Sequence, residues 1–140
     1  MKNILIVLLI LIFVLLGLSW YINRDKVHSE VILTVTLSEK SIQINKFPKD
    51  AIQVVETGQG KSEQVIAVKY FLKSYLDDNS WNKLTFVSSD NAQLTIDRQE
   101  LESLYLAMIS KDEESYLRLI IPSDDFHQRW LKYVTQIDLK

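Results

Sequence analysis

The sequence contains no cysteine, only 3 glycines and 2 prolines, only 2 histidines, and no marked excess of either charge, with 16 Lys+Arg set against 18 Asp+Glu in 140 residues. Each shortage closes off a class of function. Without cysteine there is no thiolate nucleophile, no thiolate zinc site, no disulfide scaffold and no lipid-bearing cysteine for a lipoprotein anchor. Scarce glycine and proline beside 47% hydrophobic residues exclude collagen-like repeats and extended disorder. A net charge of −2 gives no general attraction for nucleic acid, whose binding depends on displacing phosphate counterions, so no nucleic-acid partner is expected. His28 and His127 lie far apart in the chain, which argues against a two-histidine metal site and against a Ser-His-Asp arrangement.

What the sequence does have is one long hydrophobic block. Residues 4–22 carry no ionisable side chain apart from the phenol of Tyr21. At about 1.5 Å per helical residue the block spans roughly 28 Å, close to the hydrocarbon thickness of a bilayer. It lacks the polar face at 3.6-residue spacing that a water-facing helix needs, and Trp20 and Tyr21 fall where interfacial aromatics sit. Residues 1–22 therefore read as a transmembrane anchor, or alternatively as a cleaved secretion signal with a basic start at Lys2 and small residues at Gly17 and Ser19. Lys2 precedes the block while Arg24 and Lys26 follow it, so loop charge does not fix the orientation. With the N-terminus inside, the anchored form is a single-pass protein of the cytoplasmic membrane whose domain faces the periplasm or the cell exterior.

Residues 23–30 read as a linker and residues 31–140 as one small domain. Residues 31–37 are rich in β-branched side chains, and residues 41–45 alternate with period two, which predicts a strand pair across a turn at 38–40. Residues 51–56 form another strand candidate. Val68, Phe71, Leu72, Tyr75 and Leu76 recur at helical spacing and predict a helix over 68–76. Residues 84–87 and 93–96 flank a turn-forming cluster and predict a hairpin, and Asp97 with Glu100 resembles a capping pair that starts a short helix. Residues 116–121 and 134–139 are further strands. The expected fold is α+β, a mixed β-sheet with two or three short helices, preceded by one transmembrane helix.

Two chemical motifs fail on inspection. Gly58, Gly60, Lys61 and Ser62 imitate the end of a phosphate-binding loop, but the required earlier glycine is Val55, so a surface turn between strand and helix is expected instead. The acidic run at 112–114 and the pair at 77–78 read as solvated surface, whereas Asp124 and Asp125 stand beside a more informative region.

That region is Arg118-Leu119-Ile120-Ile121-Pro122 followed by Arg129-Trp130-Leu131-Lys132-Tyr133 and the apolar alternation after it. An arginine within an apolar strand is costly unless its guanidinium meets an anion or a planar polar partner. Either a domain carboxylate such as Asp124 or Asp97 serves, or Arg118 and Lys132 converge on a ligand with Trp130 or Tyr133 as its aromatic wall. The spacing resembles the end of the molybdopterin-binding domain of the sulfite oxidase family, with an Arg, three hydrophobics and Pro, then Arg-x-hydrophobic-Lys-aromatic.

The resemblance implies that Arg118 and Lys132 contact a pterin, that Arg129 and Trp130 line or orient the pocket, and that Asp124 or Asp125 pairs with the amino and ring N–H groups of the pterin. This chain departs from the family in lacking the cysteine that holds molybdenum, and in having Glu113 and Glu114 where a histidine and glycine precede the arginine. The implied ligand is a pterin or molybdopterin-like molecule without metal. The implied protein is an extracytoplasmic, non-catalytic regulatory domain, attached to the membrane by its N-terminal helix and reporting to a membrane sensor such as a diguanylate cyclase. A molybdopterin-dependent oxidoreductase and a structural or assembly protein of the cell envelope stand as alternatives.

Overall fold

Period-two burial is clearest where the domain begins. In β1 (Leu33–Leu37) Leu33, Val35 and Leu37 are buried while the threonines between them are half-buried. β2 (Lys40–Ile44) returns beside it in register, Leu33 opposite Ile44 and Val35 opposite Ile42. The computed structural model describes residues 2–24, 31–58, 60–77, 80–112, 114–124, 126 and 128–140; within the N-terminal helix it describes the side chains at 4, 6–8 and 10–19.

Among the described residues there are nine strands in two sheets. The first sheet has the order β2-β1-β9-β5-β6, with β5 (Lys83–Ser88), β6 (Gln93–Asp97) and β9 (Val134–Leu139). β1 and β9 run parallel and the other neighbours antiparallel, with an irregularity in the β5–β9 pairing between Val87 and Ser88. The second sheet has the order β3-β4-β7-β8, with β3 (Gln53–Glu56), β4 (Ser62–Ala67), β7 (Tyr105–Lys111) and β8 (Glu114–Ile120), all antiparallel. The sheets face one another across a single core that joins Val35, Phe86 and Ile137 from the first to Ile66, Leu106, Leu117 and Leu119 from the second.

One helix closes this core. α2 (Val68–Tyr75) buries Val68, Phe71 and Leu72, the i, i+3, i+4 set of one helical face, and Phe71 meets Phe47 edge to face at 5.3 Å. Its N-terminus has no side-chain cap; the Val68 N–H donates instead to the Leu104 carbonyl at 3.0 Å, just past a 3-10 turn at Arg98–Ser103.

The architecture corrects the fold expected from sequence. It is mostly β, in two sheets, because residues 62–67 and 105–111 are strands that the sequence did not announce. The phosphate-loop imitation lies in the connection between β3 and β4, closed by Thr57 N–H to Lys61 carbonyl at 2.8 Å with Gly60 in the left-handed region, so it links two strands rather than a strand and a helix. Asp97 makes no side-chain cap at the 3-10 turn, and Glu100 is engaged elsewhere. The N-terminal block does form a helix, α1 (Lys2–Arg24), but among the described residues no helix is long and apolar enough to cross a membrane, which removes the transmembrane span from the fold. The described apolar side chains of α1, from Ile4 to Leu18, are nonetheless 46 to 69% exposed. The linker expectation falls largely outside the described residues, at 25–30.

Candidate functional site

Alternation along β8 decides where its arginine points. Leu117 and Leu119 enter the main core, so Tyr116, Arg118 and Ile120 occupy the opposite face of the second sheet, where Ile120 joins Val65 and Ala107 in a smaller apolar cluster. On one side Arg118 stands opposite Ala107 of β7, and on the other it forms an isolated antiparallel bridge with Lys132, held by the neighbouring Leu119 N–H to Leu131 carbonyl bond at 2.8 Å. Residues directly opposite in an antiparallel pair project to the same face with Cβ atoms roughly 5 Å apart. The two cations that the sequence singled out are thus brought side by side.

Nothing described neutralises them. The Arg118 Nε is buried and has no hydrogen-bond partner among the described residues. A buried charged donor left unpaired costs about 1–3 kcal/mol or more, and a like charge directly opposite adds to that. Lys132 is exposed, and among the described residues it too has no ion pair.

Backbone strain brings an aromatic surface to the same place. Tyr133 has φ 57°, in the left-handed region that costs a bulky residue about 1–3 kcal/mol, and its carbonyl is held by the Ser89 N–H at 2.9 Å. Its ring lies 4.4 Å from that of Tyr116, tilted by 38°. Tyr116 is two residues from Arg118 on one strand, so it shares the arginine's face. Tyr133 was anticipated as an aromatic wall; Tyr116, which sequence reading left as a strand residue, is its partner.

The other expected ligand residues have different occupations. Arg129 donates from Nε and Nη2 to the two oxygens of Asp124, at 2.8 and 2.7 Å, and from Nη1 to Glu100 at 2.7 Å. The paired Asp124, with Glu100 beside it, holds the Arg129 guanidinium charged even more firmly than usual. This cluster ties the turn after β8 to the 3-10 turn before β7. Trp130 donates from Nε1 to the Ile121 carbonyl at 3.0 Å and packs against both apolar clusters, which makes it a strut rather than a free wall. Asp124 therefore neither neutralises Arg118 nor offers a free carboxylate to a ligand. Asp125, His28 and His127 lie outside the described residues. Among the described residues no three His, Cys, Asp or Glu side chains gather to hold a metal ion.

The main hollows among the described residues are lined by other segments, notably a cleft of about 710 Å³ between α2 and the 3-10 turn. No protein-family model, curated protein or solved structure matches this chain.

Proposed function

We propose that this protein is a membrane-held, non-catalytic binding domain whose Arg118–Lys132 face takes a flat anionic ligand of the pterin kind and signals its occupancy to a membrane partner. The reading is carried by Arg118, a buried donor with no acceptor among the described residues and a second cation directly across from it. An incoming carboxylate, phosphate or carbonyl edge would satisfy that donor and relieve the repulsion at once. The Tyr116–Tyr133 pair supplies a ring surface for a planar body.

The residues present fit the acceptor edge of a pterin. They fit its amino and ring N–H groups less well, because Asp124 is already bound to Arg129. Ligands richer in acceptors than in donors are therefore favoured. Attachment through α1 is supported by its bare apolar surface, which water leaves uncovered and lipid would cover. A tether of this kind raises the effective concentration at a membrane partner, such as the sensor or diguanylate cyclase that the sequence resemblance suggests.

The test is mass spectrometry of small molecules that accompany the full chain purified from membranes, with a fluorescence titration by pterin-6-carboxylate. The expected result is a retained pterin or equivalent planar anion, and about tenfold weaker binding of the probe by Arg118→Met or Lys132→Met, the loss of one charge-assisted contact. An empty protein that also ignores the probe overturns the reading. The exposure of Lys132 and Tyr133 favours one rival, an acidic surface of a partner protein, which would be indicated if Arg118→Met abolished capture of that partner while no small molecule bound.

A further inference from the structure

The outer face of the first sheet differs from the face that carries Arg118 in having almost no charge. Leu33, Val35, Leu84, Phe86 and Ile137 belong to the core, so the residues that alternate with them point outward. The strand register sets those residues in two rows. One row runs Gln43, Thr34, Gln136, Val87 and Gln93 across β2, β1, β9, β5 and β6. The other runs Ser41, Thr36, Asp138, Thr85 and Thr95 across the same strands.

Of these ten side chains only Asp138 is charged, in a chain that is 24% charged. Charged residues are ordinarily the commonest occupants of exposed positions. The outer face of the second sheet follows that habit, with Glu63, Arg118 and the opposed Lys111 and Glu114. On the first sheet charge returns at the rim, where Lys83 stands opposite Asp97. Hydroxyls and amides recover the cost of losing water through single hydrogen bonds, whereas ions do not, so a neutral polar body can cover this face cheaply.

Part of the hydrogen-bonding capacity is already engaged. The hydroxyls of Thr85 and Thr95 lie 2.9 Å apart, and Gln136 Nε2 donates to Asp138 Oδ1 at 2.6 Å. The rest is open to a ligand: among the described residues the side chains of Thr34, Thr36, Ser41, Gln43 and Gln93 make no hydrogen bond.

The spacing of the amides is the selective feature. Gln43, Gln136 and Gln93 stand on every second strand, about 10 Å apart. A β-1,4-linked glycan turns each sugar over relative to the one before, so a substituent at one ring position recurs on the same side at every second sugar, with a repeat of this length. Where that substituent is an acetamido group, a glutamine side chain can meet it amide to amide, each donating an N–H to the carbonyl of the other.

We infer that the outer face of the first sheet binds a neutral β-1,4-linked chain of N-acetylhexosamine, laid across the strands with its acetamido groups on Gln43, Gln136 and Gln93 and its hydroxyls on Thr36 and Asp138. The inference stands whether or not the Arg118 face binds a ligand.

The experiment is isothermal titration calorimetry of the full chain in phosphatidylcholine nanodiscs with chitohexaose. The matched probes are cellohexaose, which has hydroxyls in place of the acetamido groups, and maltohexaose, whose α-linkage breaks the alternation. Chitohexaose is expected to bind, cellohexaose to bind about tenfold more weakly, and maltohexaose to give no heat. The double variant Gln43→Ala/Gln93→Ala, at exposed positions that leave the fold intact, should weaken chitohexaose binding about tenfold. No binding of chitohexaose by the folded chain, equal binding of either matched probe, or an unchanged affinity in the double variant would each overturn the inference.

Discussion

Arg118 and Arg129 lie eleven positions apart around one connection, yet they meet opposite conditions. Arg129 is satisfied three times over, by both oxygens of Asp124 and by Glu100, and its role ends with those bonds. Arg118 has the same side chain and a buried Nε with no partner among the described residues, next to another cation. A fold that assembles three charge-assisted bonds on one arginine has carboxylates at hand. The other is left without one among the described residues, and the proposed ligand site rests on that difference.

The largest effect expected from disturbing this contrast is on stability, at Arg129. Arg129→Ala leaves Asp124, whose side chain is only 10% exposed, facing no cation, and should lower the unfolding free energy by about 2–3 kcal/mol, which thermal denaturation would register as a fall in Tm of about 10 °C. Arg118→Met should do the reverse. Its unfolding free energy should stay within about 0.5 kcal/mol of the parent or rise, while affinity for a planar anion falls about tenfold. Equal destabilisation by the two substitutions would erase the distinction between them.

The smallest effect concerns the strained tyrosine. Glycine adopts φ 57° without penalty but removes a ring pair of about 0.5–1.5 kcal/mol, so Tyr133→Gly should change stability by less than about 1 kcal/mol in chemical denaturation. Ligand binding should nevertheless weaken severalfold, because the face loses half of its aromatic surface. A large loss of stability would show that Tyr133 serves the fold instead.

Sequence pattern disclosed the elements that bury a single face. β1 and the second half of β9 alternate because one side meets the core, and α2 shows its 3.6-residue stripe for the same reason; β5, with Leu84, Thr85 and Phe86 all buried, was marked instead by the turn-forming cluster that follows it. β7 escaped because Leu106 and Ala107 are adjacent and both buried, each in a different apolar cluster, so neither period emerges from Tyr105–Lys111. β4 escaped because its first residues, Ser62, Glu63 and Gln64, are polar and only Val65 and Ile66 are buried. Without these two strands the second sheet could not be inferred, and the helices took too large a share of the expected fold.

At the site, the cost of an arginine between two leucines was visible in sequence, and so was the convergence of Arg118 with Lys132. The competition for carboxylates was not. Arg129 reaches Asp124 five residues away and Glu100 twenty-nine residues away, and only the path of the 3-10 turn decides that second contact. Nor could spacing show that Tyr133 turns into the left-handed region and brings its ring to Tyr116.

The central claim is that the Arg118 side chain waits for an acceptor. The most direct measurement is the ¹⁵N–¹H resonance of its Nε–H in the full chain, followed as pterin-6-carboxylate is added. The account predicts a shifted signal with slowed solvent exchange that saturates with the probe and is absent in Lys132→Met, while the Arg129 Nε–H signal stays fixed. An Arg118 resonance that remains unmoved by saturating probe in the folded protein would contradict it.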